Sequence, residues 1–123
     1  MVLHVEKPMT KLSIGYVTGD SDANPMLKSH AYLAVNDGFV AAYVTFTTSN
    51  HAIRGYVGLT DDPAGAGNLI QTNSPGDTGN APAGIFFAVA KGEYFEITVT
   101  TTVTPTIRWK SLGLTLQRPV DQD

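Results

Sequence analysis

Apolar and polar residues alternate with period two through much of the chain, the pattern of strands with one buried and one wet face. In residues 93–100, Phe95, Ile97 and Val99 fall on one side and Glu96, Thr98 and Thr100 on the other. In 106–110, Ile107 and Trp109 are set inward against Arg108 and Lys110. Residues 39–46 place Val40, Ala42, Val44 and Phe46 on one face, and 52–59 place Ile53, Val57 and Leu59 inward. The window 26–37 fits a helix through Leu27, Ala31, Ala34 and Val35, yet 30–35 also alternates. We read 30–35 as a strand because Asp37-Gly38 follows, a dipeptide that predicts a hairpin turn between alternating runs. Residues 85–90 break the rule. Ile85, Phe87 and Val89 on one side and Phe86, Ala88 and Ala90 on the other are all apolar. A strand of that kind needs cover on both faces. The second cover is either another subunit or the loop 60–82 folded back over Phe86. Lys91-Gly92 predicts a tight turn between this strand and the next.

The remaining stretches are less regular. Residues 2–9 and 11–17 read as short strands interrupted by Pro8, which suits an edge or an extended arm better than a central strand. Residues 18–25, TGDSDANP, form a polar, turn-rich loop. We therefore expect a leader over 1–28, the other reading being that 11–17 is the first strand of the sheet. Residues 60–82 are a long irregular segment punctuated by Pro63, Gly65, Gly67, Pro75, Gly76 and Gly79. Only 68–72 within it suits a strand, and long loops of this kind are usually functional or mobile. After Gly113 the alternation continues through Leu114 and Leu116, and 118–123 is a short polar tail. The main domain is thus expected over 29–117.

Composition narrows the class. A chain of 123 residues suggests one domain, and such a chain buries roughly two-thirds of its unfolded surface. Thr, Val, Gly and aromatic residues are common, which fits an all-β protein. There is no cysteine, hence no disulfide and no thiolate metal site. The net charge is −3 with no basic cluster, which argues against a nucleic-acid partner. No apolar run approaches the ~20 residues of a membrane-spanning helix, so no membrane partner is expected. MVLHVEKPMT lacks the basic start and apolar stretch of a signal peptide.

Three separated motifs carry a family resemblance: Asp37-Gly38-Phe39-Val40, then residues 88–97 (AVAKGEYFEI), then 107–113 (IRWKSLG). Over roughly residues 30–113 the chain resembles the small β-sandwich heads of tailed-phage fibres. Those heads read "DGFV", "V-x-KGDYW-x-V" and "I-x-W-x-PLG", and resemble the jelly roll of the tumour-necrosis-factor and complement families. Glu93, Phe95 and Ser111 stand where Asp, Trp and Pro are usual, without reversing the polarity of a strand. The resemblance implies a jelly-roll β-sandwich that is a homotrimer. It gives the doubly apolar strand a role at a threefold axis, with Phe86 and Tyr94 as the expected contacts.

Candidate chemistry is sparse. Asp77-Thr78-Gly79 spells an aspartic-protease triplet, but its flanks are a polar Pro- and Gly-rich loop rather than an apolar strand ending in a rigid turn. Asp20-Ser21-Asp22-Ala23-Asn24 opens like a calcium loop, but Pro25 and Ala31 stand where Gly and Glu are required. Asp61-Asp62 reads as a solvated turn. His4, His30 and His51 lack zinc spacing, no nucleophile elbow occurs, and Gly65-Ala66-Gly67 lacks the third glycine of a dinucleotide loop. We expect no catalytic residue, metal or cofactor. For sugars, Tyr56 offers a stacking platform, with Asp61, Asp62, Asn68 and Asn73 as polar partners; Trp109 is expected in the core.

Two functions follow. The first is a virion structural protein, assembled in the host cytoplasm: a trimeric decoration, or cement, protein that binds the major capsid protein or other virion proteins of the assembled shell. The chain opens at Met1 without shaft, coiled coil or collagen-like repeat, which fits this expectation. The second is a receptor-binding fibre tip or lectin that recognises host surface glycans.

Overall fold

The computed structural model describes residues 13–18, 25–48, 50–75, 81–113 and 117–123. Residues 2–9, the Asp20–Asn24 and Asp77-Thr78-Gly79 motifs, His4, and Leu114 and Leu116 lie outside the described residues. Among those described there is no helix and there are nine strands: β1 (Ser13–Thr18), β2 (Ala31–Leu33), β3 (Asp37–Phe46), β4 (Ile53–Gly58), β5 (Leu69–Asn73), β6 (Ala81–Val89), β7 (Tyr94–Val99), β8 (Thr106–Gly113) and β9 (Val120–Asp121). They form two antiparallel sheets, ordered β1-β8-β3-β6 and β5-β4-β7-β2-β9. The strands pair in a nested series: β1 with β8, β2 with β7, β3 with β6 and β4 with β5.

The sheets face each other across one core, as a β-sandwich. Val40, Ala42, Val44 and Phe46 of β3, Ile85, Phe87 and Val89 of β6, and Ile107 and Trp109 of β8 meet Tyr32, Ile53, Phe95 and Ile97 of the other sheet. A ladder of rings crosses this core. Tyr32 stacks on Phe95 at 5.6 Å between centroids, and Phe95 stacks on Trp109 at 5.5 Å, tilted by only 2°. Trp109 has 0% of its surface exposed and donates its indole N–H to the Gln117 carbonyl at 3.1 Å, so its polar atom is satisfied. Ser111, also fully buried, accepts from the Asn36 amide at 3.2 Å.

Several expectations change. Asp37-Gly38 is not a hairpin turn: it opens β3, while β2 lies in the other sheet. Gly38 is required for packing, because a Cβ there would stand 2.4 Å from Trp109 Cζ2. The Asp37 carboxylate accepts the Lys91 N–H at 2.7 Å. Lys91-Gly92 does turn the chain, with Gly92 at φ 89° and the Glu93 N–H donated to the Ala90 carbonyl. The turn leads from β6 in one sheet to β7 in the other. Leu59, expected inward, lies beyond β4 and is 79% exposed.

Of the two readings of 11–17, the structure takes the strand: Ser13–Thr18 pairs along β8. The tail 118–123 contains β9, which pairs with β2, and the Gln122 N–H bonds to the Ala31 carbonyl at 2.9 Å.

Candidate functional site

The alternation of β3 and β6 leaves one set of side chains on the outside of the four-stranded sheet: Phe39, Ala41 and Tyr43 from β3, and Gly84, Phe86 and Ala88 from β6. Register sets large against small. Phe39 is opposite Ala88, Ala41 opposite Phe86, and Tyr43 opposite Gly84. The small residues leave room for the rings, and Phe39 and Phe86 stack diagonally at 5.3 Å with an interplanar angle of 12°. Arg108 of β8 lies over the Tyr43 ring, 5.7 Å from its centroid. Phe86 is 57% and Tyr43 47% exposed. No described part of the 60–82 loop buries Phe86, so nothing among the described residues supplies the second cover sought in the sequence.

The border of this face is sealed differently. β6 is the last strand of its sheet, and β5 borders the other sheet alongside it. Gln71 Oε1 accepts the Phe86 N–H at 2.7 Å, and the Asn73 amide donates to the Gly84 carbonyl at 2.9 Å. Side chains of β5 thus occupy hydrogen-bonding groups that a neighbouring strand would use.

Tyr94 is placed elsewhere. It lies on β7, opposite Leu33 and Gly58, and with Phe95 fully buried it points out of the five-stranded sheet. One chain therefore does not present Phe86 and Tyr94 on a common face.

The sugar candidates gather loosely at the other sheet. Tyr56 of β4 is half-buried and sits opposite Glu96 of β7 and Leu69 of β5. Asp61 is exposed. Asp62 caps the helical turn that follows it, its Oδ1 accepting the Gly65 N–H at 3.0 Å with Pro63 as the first residue inside. Asn68 closes that turn, donating its N–H to the Pro63 carbonyl and accepting the Val57 N–H. This turn covers Glu96, which is 9% exposed and takes a hydrogen bond from the Ala64 N–H. Burial, then the charge of Asp62, pushes the Glu96 carboxyl above the usual range. Asn73 is committed to β6, and Trp109 is core.

Pairing of distant segments produces one cluster that the sequence hides. His30 Nδ1 lies 3.0 Å from Asp121 Oδ2, and the ligand atoms of His30, Asp121 and Asp123 fall within 4.8 Å of one another. Its visible role is to pin β9 beside β2. No spacing rule joins residue 30 to residue 121, so only the fold reveals it.

No known protein family, curated protein or solved structure matches the chain.

Proposed function

We propose that this chain is a structural protein of a phage virion: a jelly-roll sandwich that assembles as a homotrimer and binds the assembled capsid as a decoration protein. The observation that carries the reading is the outer face of β3 and β6. Exposed aromatic residues clustered among small ones are the composition of a contact surface rather than of a solvated one. The nested pairing supports the jelly-roll reading: an antiparallel hairpin of eight strands rolled onto itself yields the orders β1-β8-β3-β6 and β5-β4-β7-β2. The resemblance of the three motifs to trimeric fibre heads supports the threefold assembly. A protein that binds only the closed shell stabilises it by mass action, without chemistry of its own.

Sedimentation at micromolar concentration tests the assembly. The parent chain is expected at three times its monomer mass and Phe86→Glu at monomer mass, with unchanged circular dichroism. A parent chain that sediments only as a monomer overturns the reading. Cryo-microscopy of particles carrying the protein then distinguishes shell from tail. Selective glycan-array binding that is lost in Tyr56→Ala would move the assignment to a receptor-binding tip.

A further inference from the structure

A cleft of about 210 Å³ opens where the C-terminal segment crosses the start of β2, lined by Pro25, Leu27, Tyr32, Arg118, Pro119 and Asp121. Its polar groups are held rigidly. Tyr32 is 2% exposed and clamped by its stack on Phe95. The Trp109–Gln117 hydrogen bond and the pairing of β9 fix the backbone on either side of Arg118. Two prolines stiffen the walls.

Among the described residues, the donors of this cleft are unspent. The Tyr32 oxygen accepts the Leu27 N–H at 2.7 Å, and its own proton has no acceptor among the described residues. Burial raises the Tyr32 pKa, so the hydroxyl keeps that proton at neutral pH. Arg118 makes no hydrogen bond or ion pair with any described residue, although its charge is felt at both Tyr32 and Asp121. Asp121 is already engaged, by the His30 ring and by the Asp123 N–H at 3.0 Å. A nearly buried phenol beside a guanidinium, both with donors unused among the described residues, is an arrangement that an anion completes.

We infer that this cleft binds a small carboxylate ligand, the acid group taken by Arg118 and the Tyr32 hydroxyl. Charge selects the acid. Asp121 lines the same cleft and Asp123 lies beside it, so a planar, singly charged carboxylate enters at less electrostatic cost than a phosphate dianion. The guanidinium fork also matches a carboxylate in two parallel bonds. Asp121 keeps lone pairs for a hydroxyl or N–H on the far side of the ligand. The volume admits one sugar ring or one amino-acid residue. This inference is independent of the assembly proposed above, since the cleft lies on the five-stranded sheet.

The test is a titration of the ¹⁵N-labelled full chain, followed at the Leu27 amide and the Arg118 Nε–H. The probes are glucuronate and N-acetylglutamate, with glucose and inorganic phosphate as controls. At least one acid is expected to give saturable shifts with a Kd of about 1 mM. Which acid binds more tightly identifies a saccharide or a polypeptide as the source. Glucose is expected to give no shift, and phosphate weaker binding than either acid. Arg118→Gln, at a half-exposed position, is expected to weaken binding about tenfold or more. Tyr32→Phe should weaken it by less, and if that variant does not fold, Arg118→Gln decides. Absence of saturation with both acids, tighter binding of phosphate, or unchanged affinity in Arg118→Gln overturns the assignment.

Discussion

Glu96 is the one acidic side chain that the sandwich buries among the described residues. Burial first, and the Asp62 charge second, raise its pKa, while the Ala64 N–H and His30 offset part of the rise. The folded chain therefore holds this proton more tightly than the unfolded chain. Stability is fullest below the ordinary glutamate pKa and falls as pH rises through the raised one. Glu96→Gln removes the penalty and keeps an acceptor for Ala64. It is expected to raise the urea midpoint at pH 7, with the advantage disappearing below about pH 4. Gly38 makes the opposite case. Gly38→Ala would press a methyl against Trp109 and the Lys110 carbonyl, 2.4 and 2.5 Å away. We expect a loss of about 1–3 kcal/mol in chemical denaturation. The sequence marked Gly38 as a turn residue; the reason it must be glycine is a ring more than seventy positions away.

At the scale of elements, the strands with one wet face were legible. The inward sets of β3, β7 and β8 follow from alternation, because one-sided burial leaves that imprint. Short segments were less so. β5 falls on 68–72, the one part of its loop that suited a strand, although its residues are exposed on both faces and carry no alternation. β9 has only two residues, and a polar string gives no pattern at that length. Which strands pair was equally hidden, since the connection ahead of Asp37-Gly38 and the turn at Lys91-Gly92 both pass between sheets rather than joining neighbours within one.

Two expectations belong to this scale. Gln71→Ala together with Asn73→Ala would free the Phe86 N–H and the Gly84 carbonyl, and should increase thioflavin-positive aggregation at fixed concentration. For β9, partial burial raises the Asp121 pKa, but the Asp123 N–H, His30 and Arg118 together bring it below its usual value. The stabilisation is present above the ordinary aspartate pKa and is lost as pH falls through the depressed one. Since the pair is partly exposed, His30→Ala should reduce hydrogen-exchange protection of the Gln122 amide by less than about 1 kcal/mol, with sandwich melting unchanged.

For the whole molecule, the doubly apolar strand was the most informative stretch of the sequence. It announced a face without cover, and the structure places that face on the outside of β3 and β6. The cleft beside Arg118 had no such announcement, because its walls come from segments about ninety residues apart. If subunits meet through aromatic side chains, association should strengthen in sulfate, which favours apolar burial. Sedimentation across a salt series reads this directly. The placement of the last residues has a practical result. With β5 lying against β6, β9 forms the opposite border of the five-stranded sheet, roughly 20 Å away at the usual strand spacing. A reporter enzyme or peptide epitope fused after Asp123 would leave the molecule on that far side, so cargo can be displayed without obstructing the Phe86 surface.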